Sequence, residues 1–453
     1  MKILLIYPTT TSNGRPNKYK QAYLPPLNMA ILNRLTHIAN PKHDVKIVND
    51  VVETIDFETE CDLVGITALT AQATRAYQIA DAFRDRGKRV VMGGIHPSMC
   101  PDEALEHADA IVIGEAENIW ADLMNDAENG KLNRIYKDHD YPDLSPLIIP
   151  RWDGIDLSIY RRSYGRRYPR MPIFTTRGCV HNCKYCSVTK HFGRKYRYKP
   201  IDNILEEIKQ TGAESYFFVD DNIICNAAYS EELFETLRRS TGGIRWLSQC
   251  STFILKKPHL IDLAGQSGCR SMIFGIESIN KDNLKQIKKS FNNPENFVEL
   301  HRLCLEAKIQ PFFSIIFGLD NDLISNMWDT LNYLKKNKIW NVFFWILTPL
   351  PGTDLFDEMV REGRLIHTDW SKYDLNHVVF HPLNFSNEDL YQNFWRLYES
   401  FFSTANILRK LFSKHSPDRF LQYYITFFMN QIYSRRQVKS RCHPLSMGLI
   451  KKT

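Results

Sequence analysis

Thr175–Ser187 reads TTRGCVHNCKYCS and sets Cys179, Cys183 and Cys186 in a C-x3-C-x2-C spacing. The apolar stretch Ile173–Phe174 and a turn at Arg177-Gly178 precede the thiols, which puts them on a loop just past a strand-like segment. Three thiolates on one short loop hold three irons of a cubane 4Fe–4S cluster, and no further cysteine follows at ferredoxin-like spacing, so one iron stays open to a ligand. A structural zinc site wants four closed ligands, usually from C-x2-C pairs, and only His181 and His191 lie near enough in sequence to complete one. A disulfide is disfavoured, because no signal peptide precedes the loop and an intracellular chain keeps its thiols reduced.

Downstream, strand-like runs at Ile173–Thr175, Ser215–Val219, Ile244–Leu247, Ser271–Ile276, Phe312–Phe317 and Val342–Leu347 alternate with helix-patterned segments such as Ile204–Thr211, Ser230–Arg238 and Pro294–Ala307. Six βα units in series predict a partial (β/α)6 barrel of the TIM type, with its site at the carboxyl ends of the strands. Polar or glycine residues stand at those ends: Asp220-Asp221-Asn222, Ser248-Gln249-Cys250-Ser251, Glu277-Ser278, Gly318-Leu319-Asp320 and Thr348-Pro349-Leu350-Pro351-Gly352-Thr353. Singly, each is also an ordinary cap or turn. Acids in such places accept hydrogen bonds from ammonium and ribose hydroxyl groups.

Taken together, the loop with aromatic Tyr185 directly before its last cysteine and the segments FVDDN, FGIES, FGLD and TPLPGT resemble the radical S-adenosylmethionine (radical SAM) enzymes. The resemblance implies that the open iron chelates the amino and carboxylate groups of S-adenosylmethionine (AdoMet). It implies that FVDDN receives the amino group, that Glu277 of FGIES meets the ribose, and that the last two strand ends lie near the adenine. The AdoMet-contacting residues it implies are Tyr185, Asp220, Asp221, Asn222, Gln249, Glu277, Gly318 and Pro349.

Upstream, the run Lys2–Tyr7 (KILLIY) reads as a central strand of a parallel sheet. Periodic Leu27–Ile38, the strand-like pieces Val45–Val48, Leu63–Thr67, Arg89–Met92 and Ala110–Ile113, and amphipathic Ala71–Arg86 and Glu117–Glu128 continue the alternation. A doubly wound, Rossmann-like α/β domain over residues 1–140 follows. Its strand ends are Pro8-Thr9, Thr67–Thr70, Gly93–His96 and Gly114–Glu117. Small and hydroxyl residues there either make tight turns or let a planar ligand or phosphate tail approach backbone amides.

Pro25-Pro26-Leu27, Asp62–Thr67, Gly93–His96 and Gly114–Glu117 resemble the cobalamin-binding-type domain that precedes many radical SAM cores. That resemblance implies cobalamin as a further cofactor, with Pro8, Thr67, Leu69, Thr70, Gly93, Gly94, His96, Gly114, Glu115 and Glu117 as its contacts. The D-x-H-x-x-G motif that gives cobalt a lower histidine in cobalamin-dependent mutases is absent from residues 1–140. Cobalamin then binds without a histidine from that motif, or the domain is a scaffold that has lost it; His96 reads first as a turn residue.

Residues 141–171 carry Pro142, Pro146 and Pro150 with Arg161, Arg162, Arg166, Arg167 and Arg170, a linker across the domain interface whose arginines form a solvated face. Residues 172–365 hold the barrel, and 366–453 a capping, helical region. In the latter, Ser386 with Asp389 starts an aromatic helix, Tyr391–Phe402. A second aromatic stretch, Phe420–Tyr433, followed by Arg435, Arg436, Lys439 and Arg441, reads as a helix docked on the barrel or resting on a membrane surface.

The bulk properties agree with two or three soluble domains: 453 residues, 43% hydrophobic and 24% charged. No apolar run reaches the ~20 residues that span a bilayer, and a cytoplasmic location is expected. The net charge of +7 gathers in residues 161–199 and 435–452, and such a collar suits anionic cofactors as well as nucleic acid. A tRNA methylthiotransferase-like enzyme needs a second cluster, for which the first domain offers only Cys61 and Cys100, and an RNA-binding barrel; no nucleic-acid partner is expected. A non-catalytic sensor has no use for a full set of polar strand ends. The expected activity is reductive cleavage of AdoMet to a 5′-deoxyadenosyl radical, followed by cobalamin-dependent methylation of an unactivated carbon. The alternative is a radical SAM oxidoreductase or cyclase on a cobalamin-free scaffold. Expected partners are a small, hydrophobic substrate and a flavodoxin- or ferredoxin-type electron donor.

Overall fold

The computed structural model describes residues 1–160, 169–240, 242–411, 431–444 and 448–451. Its first sheet contains β1 (Lys2–Tyr7), β2 (Asp44–Asn49), β3 (Leu63–Thr67), β4 (Arg89–Gly93), β5 (Ala110–Ile113) and β6 (Ile135–Lys137). All pairings in it are parallel, in the order β2-β1-β3-β4-β5-β6. Ile3–Ile6 are buried because β1 is covered on both faces, as its unbroken apolar run requires. Helices α1 (Leu27–Ala39) and α2 (Ala73–Arg84) pack on opposite faces of this sheet. The strand order reverses between β1 and β3, the point where an open parallel sheet places its ligand crevice. Strand β6 has no counterpart in the sequence reading, because a three-residue edge strand exposed at both ends carries no apolar run.

The second sheet runs β7 (Met171–Ile173), β8 (Ser215–Phe218), β9 (Arg245–Cys250), β10 (Cys269–Glu277), β11 (Gln310–Phe317) and β12 (Val342–Ile346) in sequence order, all parallel. β7 and β12 are not paired to each other, which makes it an open, partial barrel. One face of each strand is buried against helices: Phe218 and Trp246 stack with each other, and Trp246 with Phe234 of the flanking helix Ala227–Ser240. The first strand ends earlier than its apolar run suggests, because the backbone N–H groups of Thr175 and Thr176 turn away to Asp220.

The helix Asn387–Phe401 begins at a Ser386/Asp389 capping box, and its aromatic face closes the outside of β12, with Tyr398 and Phe401 edge-on to Phe344. Farther along, the His443 ring nitrogen Nε2 sits 3.0 Å from the Phe344 carbonyl, and the ring stacks on Trp345 at 4.0 Å. Gly448–Lys451 then pairs antiparallel with Tyr19–Ala22, so the chain's end returns to the first domain. Arg161, Arg162, Arg166, Arg167 and most of Phe420–Tyr433 lie outside the described residues. No described helix is long and apolar enough to cross a membrane.

Candidate active site

Cys179, Cys183 and Cys186 are free, half-buried thiols on the loop after β7. Gly178 makes the loop possible: its φ is +88°, and a Cβ there would overlap the Lys195 carbonyl. Farther along, Lys184 donates its N–H to the Ile287 carbonyl at 3.1 Å and accepts from the Leu355 N–H at 3.0 Å, which ties the loop to two later βα connections. Burial pushes all three thiols up, Cys186 to about 12, so they are neutral until a cation displaces their protons. Of the two imidazoles that left a zinc reading open, His181 clusters with Phe253 and Phe291, and His191 is buried edge-on to Phe192 with its Nδ1 unpartnered among the described residues. Three sulfur donors without a fourth protein donor fit a 4Fe–4S cluster with one open iron.

The strand ends of the barrel divide into supports and free groups. Asp220 is wholly buried and accepts from both backbone N–H groups and both hydroxyls of Thr175 and Thr176, the hydroxyls at 2.7 Å. Asp220, expected at AdoMet, holds the start of the cysteine loop through these bonds. Asn222 is likewise engaged, accepting from the Ser251 N–H at 2.9 Å and donating to Tyr196 at 3.3 Å. Asp221 is the acid left beside the loop. Burial and then the Asp220 charge push it up to about 7, against the pull of Arg177.

Glu277 closes β10 in a left-handed conformation, φ +62°, after a register shift at Gly275. Its carboxylate folds back across Gly275, where a Cβ would overlap it, and accepts from Tyr185 at 2.8 Å and Lys289 at 2.6 Å. Gln249 is exposed on the inner face of β9. Gly318 (φ +97°) lets its own N–H and that of Leu319 reach Asp322 at 2.9 and 3.0 Å; burial pushes that carboxyl up to about 6. Pro349 is buried in the last turn, a packing residue rather than a wall of the site.

In the first domain the acids are again redirected. Glu115 is buried and ion-paired with Arg177, the residue before Gly178, and with Arg197; Glu117 pairs with Arg177 at 2.5 Å. Arg177 lies over Phe174 and Arg197 over Tyr141. Both glutamates, expected at cobalamin, thus clamp the first domain onto the cysteine loop. His96, also expected at cobalamin, is fully buried, its Nε2 lies 3.0 Å from the Tyr77 hydroxyl, and Trp370 meets it edge-on. Pro8 and Thr70 are buried beneath the strand ends, the Pro8 carbonyl accepting from Gln72 at 2.6 Å.

What faces the crevice is smaller: Thr67, Gly93, Gly94 and Gly114 are partly exposed, and Leu69 is 47% exposed. A Cβ on Gly94 would lie 2.7 Å from Thr67 Oγ1, whereas one on Gly114 (φ +85°) would meet nothing within 4 Å. Bare backbone beside open space, with one exposed apolar side chain, fits a broad flat ring system such as a corrin. Sequence reading missed Arg197 and Lys289 altogether and saw Arg177 only as a turn residue. Glu115 and Arg177 stand 62 positions apart, and no local pattern links them.

Comparison with known proteins adds the following. Residues 173–334 match the family model of the radical SAM superfamily, and residues 23–124 that of the B12 binding domain. The bacteriochlorophyllide d C-12(1)-methyltransferase of Chlorobaculum tepidum is 33% identical over 82% of this chain and 80% of its own. The bacteriochlorophyllide d C-8(2)-methyltransferase of the same organism is 31% identical over 78% and 81%. Among solved structures, the radical S-adenosylmethionine methyltransferase TsrM from Kitasatospora setae, with cobalamin and a [4Fe-4S] cluster bound, superposes with a TM-score of 0.66. That match has 15% identity and covers 97% of this chain and 99% of that one.

Proposed function

Since the chain belongs to the cobalamin-dependent radical SAM methyltransferase family, we propose that it methylates an unactivated carbon of a large, apolar, ring-built small molecule seated inside the barrel. It is a C-methyltransferase whose cofactors are a 4Fe–4S cluster, AdoMet and cobalamin. When bound, these groups supply one-electron cleavage of AdoMet, hydrogen abstraction and a transferable methyl group. In this reading Cys179, Cys183 and Cys186 hold the cluster, while Tyr185, Asp221, Gln249 and Glu277 face AdoMet. Thr67, Leu69, Gly93, Gly94 and Gly114 carry cobalamin. The division into 1–140, 141–171, 172–365 and 366–453, a flavodoxin- or ferredoxin-type reductant and a cytoplasmic location belong to the same reading.

The observation that carries the substrate class is the inner face of the second sheet. Along the strands, fully buried residues alternate with partly exposed ones, which include Phe217, Leu247, Ile273, Phe312, Phe343 and Trp345 together with the polar Gln249, Ser271 and Ser314. The parallel registers put Leu247 beside Phe217, and Phe312 beside Ile273, on one face. Phe312 and Phe343 stack at 5.2 Å and 12°, and Trp345 donates to Ser314 at 3.0 Å. Rings left partly open to the lumen form a flat apolar wall, suited to a flat apolar guest. The relatives named above act on bacteriochlorophyllides.

The test is anaerobic turnover of the reconstituted enzyme with AdoMet deuterated in its methyl group, offered chlorophyllides, polycyclic lipids and small polar acceptors such as tryptophan. A ring-built or lipid product carrying one deuterated methyl group is expected. Labelling of the polar acceptor alone would sink the substrate class.

A further inference from the structure

Lys289 is a largely buried cation beside the aromatic of the cysteine loop. It follows Lys288, itself left-handed at φ +57°, and its N–H closes a turn on the Leu284 carbonyl at 2.7 Å. The turn directs the side chain inward, to 2.6 Å from Glu277 and 3.3 Å from the hydroxyl of Tyr185. Tyr185 stands between Cys183 and Cys186 and donates to the same Glu277 oxygen. Burial alone would pull the ammonium down. The Glu277 carboxylate outweighs burial, and Lys289 is held above the ordinary lysine range. Asn292 pins this end of β10 through the carbonyls of Gly275 and Ile276 at 2.9 and 3.0 Å. A glutamate in a left-handed conformation folded over a glycine and paired with a largely buried lysine is a costly way to finish a strand, since an apolar pair would pack with less desolvation.

We propose that the Lys289–Glu277 pair sets the reduction potential of the cluster held by Cys179, Cys183 and Cys186, Lys289 raising it and Glu277 lowering it. The inference rests on the assignment of those cysteines as cluster ligands. A cluster potential responds to net charge, hydrogen bonding and solvent access around the thiolates, and a charge in a low-dielectric site acts on it with little screening. Lys289 stabilises the added electron and Glu277 opposes it. Lys289 is thus a positioning residue that acts through the field at the cluster and through the orientation of Glu277.

The experiment is a redox titration of the reconstituted holoenzyme at one pH, before AdoMet is added, with the reduced cluster followed by electron paramagnetic resonance. Lys289→Met is expected to lower the ratio of reduced to oxidised cluster at a fixed applied potential about tenfold, equal to ~59 mV for one electron. Glu277→Gln is expected to raise that ratio, the double variant to return near the parent, and Lys289→Arg to keep it. A purely structural pair would lower iron content or melting temperature without opposite shifts. Fewer than three irons in the parent would overturn the cluster assignment. A full cluster with shifts of the same sign, or with none, would overturn the proposal alone. Should Lys289→Met lose its iron, Glu277→Gln and Lys289→Arg decide: an unchanged or lowered ratio in the first sinks it.

Discussion

Glu115 and Glu117 follow the fifth strand of the first sheet, and Asp220 and Asp221 the second strand of the barrel. By topology these are equivalent places, beyond the carboxyl ends of parallel strands, where a ligand is looked for. Yet Glu115 and Glu117 are spent across the domain boundary on Arg177 and Arg197, and Asp220 on the threonines that begin the cysteine loop. A buried carboxylate takes the strongest donors within reach, and here those belong to the protein. At the other strand ends stand bare backbone and Leu69 in the first domain and Asp221 and Gln249 in the barrel, whereas Glu277 is itself held by Tyr185 and Lys289.

The comparison breaks most visibly at Asp220. Asp220→Ala strands the buried donors of Thr175 and Thr176 at about 1–3 kcal/mol each. A loss on the order of 5 kcal/mol is expected, with collapse of the cysteine loop, read by urea unfolding and iron content. Unaltered iron binding would show that the loop does not depend on this acid. Arg177→Met attacks the other pair, leaving Glu117 buried without its arginine while Arg197 still covers Glu115. About 3 kcal/mol should be lost, and corrinoid retention should fall if the clamp fixes the first domain over the loop. Equal melting temperatures for parent and variant would remove the clamp.

His191 sharpens the contrast through pH. Burial, followed by the Arg177 charge, pushes it down to about 4. Its folded form therefore binds fewer protons than the unfolded chain between about pH 6.5 and 4, and stability present above pH 6.5 is lost as pH falls through that window. The cost between pH 7 and pH 5 is about 2 kcal/mol; a His191→Phe variant should lack that part of the pH dependence, and parallel profiles would count against it. The smallest stability effect belongs to Leu69→Ala, within about 0.5 kcal/mol because the side chain is exposed. Corrinoid retention after desalting should nonetheless fall severalfold, and undiminished retention would take Leu69 out of the cradle.

Much of the fold was legible because its strands are uninterrupted apolar runs: Lys2–Tyr7, Leu63–Thr67 and Ala110–Ile113 have the bounds their residues suggest. The reading slipped where polar chemistry overrode the pattern, as at Thr175, or where an edge strand carried no pattern, as at Ile135–Lys137. In the site, the cysteine spacing was readable as chemistry because all three donors lie on one loop. FVDDN and Gly114–Glu117 have the composition of ligand-binding ends, and composition does not say which carboxylate also finds a donor within the protein.

By itself the sequence determined the two successive α/β units and the three-thiol loop, because periodicity and close spacing are local properties of the chain. Only the tertiary structure decided which strand-end groups remain for ligands. It brought Arg177 onto Glu115 and Glu117, and Lys289 onto Glu277 and Tyr185. Partner choice for a buried charge depends on distances across the fold, and those are set when the sheets close on one another.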